Sequence, residues 1–156
     1  MIDPLTVEDF FAHRRLAVVG VSDQRDNFAR TVYQQLGDRG YEVVAVNPRV
    51  ATVAGDTCYP NLASVPGDLD GVIVMVNPEA TVEVVRDAAA LGIHRVWLFK
   101  GLGGPGAVSD EAVELCHQQG IQFIAGACPM MFLEPVGWFH RLHRGMRRRN
   151  GSLAHA

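Results

Sequence analysis

Five short apolar runs, rich in Val and Ile and barely broken by polar residues, recur at positions 16–20, 41–46, 71–76, 94–99 and 121–126. Runs of this length without alternation predict strands covered on both faces. Between them the pattern switches to helical spacing at 28–38, 78–91 and 110–119. Gly40 closes the first helix, while Asn77 followed by Pro78, and Ser109, supply start signals for the other two. Residues 49–70 read mostly as connection, with a short helical turn at 61–65. Strands alternating with helices predict a single α/β domain, doubly wound around a mainly parallel sheet of five or six strands. The domain is expected over 15–135. Residues 1–14 are expected as an arm outside the core, and 136–156 as a basic C-terminal helix and tail.

Ligands of such sheets lie beyond the carboxyl ends of the strands, where the strand order reverses. Those ends fall at residues 20–27, 47–49, 77–78, 100–106 and 126–130. The first has the Rossmann-like order of strand, glycine and helix. Of the three glycines in a dinucleotide fingerprint, however, only Gly20 is present; Ser22 and Arg25 occupy the other two places. The polar loop at 21–27 offers backbone N–H groups and the side chains of Ser22, Gln24, Arg25 and Asn27 to a diphosphate, with a helix N-terminus behind it. On the simpler view, Ser22 and Asp23 only make a local turn.

A free ribose 2′-hydroxyl is usually held by an acid after the second strand. This chain has Asn47, Pro48 and Arg49 there. A guanidinium in place of a carboxylate favours a phosphorylated ribose, which it grips bidentately. That disfavours NAD and leaves NADP or coenzyme A.

With 156 residues, 48% hydrophobic and 20% charged, the chain is long enough for one packed core and is not disordered. No apolar run approaches membrane length, and no signal peptide opens the chain, so a soluble, cytoplasmic protein is expected. Cys58, Cys116 and Cys128 are scattered and odd in number, which argues against a disulfide scaffold. The net charge of −3 hides an asymmetry. Five arginines and no acid lie in 141–156, leaving nine basic against seventeen acidic residues, a net −8, on 1–140. Docking of the tail on its own acidic body or on a second subunit explains this better than nucleic acid, since no exposed aromatics interleave the arginines.

The segments AVVGVSDQRDN, GYEVVAVNPR, GDTCYPNL, VIVMVNPEAT and VWLFKG together resemble the CoA-binding domain family. Such domains form the Rossmann-like N-terminal part of the succinyl-CoA synthetase alpha subunit and also occur as small stand-alone proteins. The likeness spans about residues 14–135. It implies that residues 21–25 cradle the CoA phosphates and that 47–49 face the 3′-phosphoadenosine end. It also implies that Val76, Asn77 and Pro78 line the adenine or pantetheine path. Many stand-alone members carry V-W-x-Q-x-G after the fourth strand, where this chain has VWLFKGLGGPG. The synthetase's further domain, with its phosphorylated histidine, is not expected within these residues, nor is ligase activity by this polypeptide alone.

Other residues invite chemistry. Cys128 reads as a small buried hydrophobe before Pro129, although a thiol at that edge would meet the thiol of CoA. His140 and His143 share one helical face, but no third ligand follows and arginines surround them, so no metal site is expected. Trp138, Leu142 and Met146 form a stripe suited to docking on the core or on a second copy. Lys100, the one lysine, stands at a strand end and suits a phosphate, an acyl carbonyl or plain solvent. No catalytic constellation emerges. The expected function is non-catalytic binding of CoA or acyl-CoA, carrying or sensing it, with a partner protein or as a homodimer. The alternative is an NADP-dependent oxidoreductase with Arg49 on the 2′-phosphate.

Overall fold

The computed structural model describes residues 4–101 and 106–133. Seven strands form one sheet: β1 (Arg15–Val19), β2 (Glu42–Val46), β3 (Thr52–Val53), β4 (Asp56–Tyr59), β5 (Gly71–Val74), β6 (Arg95–Phe99) and β7 (Gln122–Ala127). The spatial order is β3-β4-β2-β1-β5-β6-β7. Every pairing is parallel except β3 with β4. From β1 the chain winds outward to β2 and β4, then returns to the other side of β1 as β5. The reversal of direction between β1 and β5 makes the sheet doubly wound.

Four helices cover it: α1 (Pro4–Ala12), α2 (Phe28–Asp38), α3 (Pro78–Ala90) and α4 (Asp110–Gln119). Because side chains alternate along a strand, Ala17 and Val19 of β1 pack with α3 and α4 residues such as Val85 and Cys116. Leu16 and Val18 pack with Phe10 of α1 and Val32 of α2. α3 and α4 start at their expected caps, Asn77 and Ser109, and α2 at Asn27, expected from the sequence to face a ligand; each side chain accepts from a backbone N–H three residues on.

Two departures from the sequence expectation stand out. Residues 4–12 are not an arm outside the core, since Phe10 is only 2% exposed and packs edge-on against Trp97 at 5.4 Å. The sheet also has seven strands where five or six were expected, because residues 52–59 within the supposed connection form a hairpin. Its two-residue turn, Ala54 and Gly55, has positive φ at both positions (51° and 83°), as tight hairpins require. Among the described residues no helix is long and apolar enough to cross a membrane. The expected C-terminal helix, with its Trp138 stripe, His140, His143 and arginines, lies outside the described residues.

Candidate functional site at the strand-order switch

The register aligns three strand ends. Val19 sits opposite both Val46 and Val74, so the chain leaves β1, β2 and β5 at one level. Backbone bonds stitch the exits together: Gly20 N–H donates to Val46 O (2.8 Å), and Met75 N–H to Val19 O (2.9 Å). Gly20 has φ +109°, and a Cβ there would stand 2.6 Å from Met75 O. Only glycine fits where the first turn crosses the end of β5.

The first turn is tied down from within. The Asn27 Oδ1 accepts from Arg30 N–H (2.8 Å) and Ser22 N–H (3.2 Å), while its Nδ2 donates to Gly20 O (3.2 Å). One side chain thus caps α2 and closes the loop that precedes it. From the next strand, Asn47 Nδ2 donates to Val21 O (3.0 Å), and its Oδ1 accepts from Arg49 N–H (2.9 Å). Asp23 accepts from Ala54 N–H (2.8 Å) and faces Arg30 Nε at 3.8 Å, binding the turn to the β3–β4 hairpin. The Ser22 hydroxyl accepts weakly from Gln24 N–H (3.4 Å), a local turn of the simpler kind. Val21 is buried, whereas the side chains of Gln24 and Arg25 are exposed.

Beside this turn a cleft of about 440 Å³ opens between the ends of β2 and β5. That volume lies within the range of small-ligand sites. Of the residues singled out in the sequence, the cleft gathers Gly20, Asn47, Pro48, Arg49, Val76 and Asn77. Ser22, Gln24, Arg25 and Asn27 lie on the adjoining turn, Pro78 begins α3, and Lys100 stands exposed after β6. The cleft also recruits residues that the sequence reading passed over. Asn61 and Leu62 follow β4, and Ala80, Glu83, Val84 and Asp87 come from α3. Their spacing of i, i+3, i+4 and i+7 is one helical face, a signal present in the sequence.

Charge is divided across the cleft, with Arg49 on the β2 rim and Glu83 and Asp87 on the α3 rim. Asp87 is exposed, but partial desolvation at the cleft rim, and then the charge of Glu83, raise its carboxyl above its usual range. Behind Asn47, the Cys58 thiol donates to Asn47 O at 3.8 Å, and burial pushes its pKa up. Cys128, at the end of β7, is half-buried and free. No cluster of metal-ligating side chains occurs among the described residues.

Nine lysine and arginine side chains are described, and six are engaged. Arg15 meets Glu42, Arg30 Asp23, Arg86 Glu83 and Glu111, and Arg95 Asp9. Arg14 lies over the Tyr41 ring at 4.6 Å, and Arg39 donates to Gln35. The other three, Arg25, Arg49 and Lys100, are exposed and have no side-chain partner among the described residues. All three stand at carboxyl ends of strands, around the switch.

The sequence profile of the CoA binding domain matches residues 14–134. This chain belongs to the CoA binding domain family. The protein YneT of Bacillus subtilis (strain 168) is 29% identical over 115 residues, covering 74% of this chain and 82% of YneT. The ADP-forming acetate–CoA ligase I of Archaeoglobus fulgidus is 26% identical over 127 residues, 78% of this chain but 18% of the ligase. Among solved structures, a hypothetical protein from Pyrococcus horikoshii OT3 superposes with a TM-score of 0.76 at 28% identity, covering 84% of this chain and 89% of the other. The family's Rossmann-like fold is therefore the fold described above.

Proposed function

We propose that this chain binds coenzyme A, or an acyl-CoA, and carries or senses it without catalysing a reaction itself. The observation that carries this reading is the location of the three unengaged cations. Elsewhere among the described residues each basic side chain has a partner; at the strand-order switch Arg25, Arg49 and Lys100 stand exposed. Coenzyme A brings a diphosphate and a ribose phosphate, and charge-assisted bonds to phosphate are the strong kind. In this arrangement Arg49 takes the ribose 3′-phosphate. The turn at 21–25 and the start of α2 take the diphosphate, through N–H groups and Arg25. Val46, Leu62, Val76 and Val84 supply apolar cleft wall for the adenine.

The three free cysteines suit a reducing compartment such as the cytoplasm. Residues 15–135 would form the binding domain, and 136–156 would meet the acidic body, a partner protein or a second copy. Calorimetric titration with CoA, dephospho-CoA, NADP and NAD side by side tests the reading. CoA is expected to bind tightest. Binding of NADP without CoA would replace this reading with that of an NADP-dependent oxidoreductase.

A further inference from the structure

The α3 rim of the cleft carries two carboxylates one helical turn apart, and their surroundings differ. Glu83 is occupied: Arg86 Nη1 donates to it at 2.5 Å, and the same guanidinium reaches toward Glu111 at 3.7 Å. Asp87 has no hydrogen-bond or ion-pair partner for its carboxylate among the described residues, although it lines the cleft. Between these acids and Arg49 the walls are largely apolar, formed by Leu62, Val76, Ala80 and Val84. A nucleotide in such a cleft has one favourable direction. Its phosphate is drawn to Arg49 and repelled from α3, so its neutral ring lies against the apolar wall with an edge toward the acids.

We propose that Asp87 is a specificity residue, selecting adenine by accepting a hydrogen bond from its exocyclic amine. The proposal rests on the CoA reading and adds to it the group that reads the base. A carboxylate offers only acceptors, so the edge facing it must donate. Adenine presents an N–H₂ group there. Hypoxanthine presents a carbonyl oxygen, whose lone pairs would face the carboxylate. An analogue that sets a carbonyl oxygen against the carboxylate loses this hydrogen bond and adds repulsion. Ala80 and Val84 carry no polar side-chain group to read the edge, and the Glu83 carboxylate is already held by Arg86.

The test uses the full chain and two probes, adenosine 3′,5′-bisphosphate and inosine 3′,5′-bisphosphate, titrated by calorimetry. The wild-type protein is expected to prefer the adenosine compound by about tenfold or more. Asp87→Asn, whose amide can donate to the inosine carbonyl, is expected to bring the two within about threefold. Glu114→Gln, an exposed change on α4 outside the cleft, should leave the preference unchanged. Asp87 is exposed, so Asp87→Asn is expected to melt like the wild type. As a second variant, Asp87→Ala should lower adenosine-compound affinity toward that of the inosine compound. Equal affinity of the wild type for both probes, or an undiminished preference in both Asp87 variants, would overturn the assignment. Binding of neither probe would overturn the CoA reading itself, and the assignment with it.

Discussion

The amide of Asn47 donates to the carbonyl of Val21 at 3.0 Å, so the end of β2 holds the first turn in place. Neither group is spare, because the other side of the same amide accepts from Arg49 N–H. Asn47→Asp removes the donor and sets a carboxylate oxygen against a carbonyl. The variant is expected to lose about 1–3 kcal/mol of stability and to bind CoA more weakly, measured by denaturant unfolding and calorimetry. Wild-type stability would show that the turn does not depend on this bond.

Arg49→Ala is expected to weaken CoA by about tenfold, a loss of about 1.5 kcal/mol for one charge-assisted contact, while dephospho-CoA is little affected. Titration of both ligands into both proteins checks it. Equal losses would place Arg49 away from the ribose phosphate.

Restoring the fingerprint glycines, as Ser22→Gly with Arg25→Gly, removes the Arg25 cation and supplies no ribose-binding acid at 47–49. CoA affinity should fall and NAD affinity should stay weak. A double variant that binds NAD well and keeps CoA would mark the turn as an eroded dinucleotide site.

Phe10→Ala should cost about 3–5 kcal/mol, as for other buried aromatics, because Phe10 packs from α1 onto Trp97. Thermal or urea unfolding measures it. A loss below about 1 kcal/mol would show α1 to be peripheral.

Alkali should destabilise the fold. Burial raises the Cys58 and Cys116 thiols above their usual 9.0, Cys116 to about 11. Burial, and then the hydrogen bond to Asp56, raise Tyr33 above 10.0. Each folded pKa exceeds its unfolded value, so the folded state holds these protons more tightly. Their contribution is whole below about pH 9 and is lost as pH climbs through the folded values. Urea midpoints at about pH 8 and about pH 10.5 should differ, with the alkaline one lower. Equal midpoints would contradict the burial of these groups.

The strands β1, β2, β5, β6 and β7 and the starts of α2, α3 and α4 were legible in the sequence because the signals are local. Unbroken Val and Ile runs mark strands buried on both faces, and Asn77 with Pro78 or a lone Ser109 marks a helix start. The nine-residue α1 was not legible. A helix that short is marginal alone and is held by what it packs against, here Trp97 of a distant strand. β3 and β4 escaped for a related reason, since two and four residues make too short a pattern to read. In the candidate site, Arg49 was visible as a missing acid. The division of labour between Asn27, which closes the turn, and the exposed Arg25 was not. A polar side chain beside a glycine looks the same in sequence whether it turns inward or outward. The spacing of Ala80, Glu83, Val84 and Asp87 marks one face of α3 in the sequence but not that it lines a cleft, because Glu83 and Asp87 look like solvated charges until the fold brings them to the cleft with Arg49.

The packing of α1 orders events during synthesis. Phe10 lies against Trp97, and Asp9 pairs with Arg95, 86 residues further along the chain. α1 is made long before the β6 residues it packs against, so the side that meets Trp97 waits uncovered until β6 has been made. Contacts that span so much chain form late and slow folding. Until then the nascent protein carries Phe10 as exposed, chaperone-accessible surface.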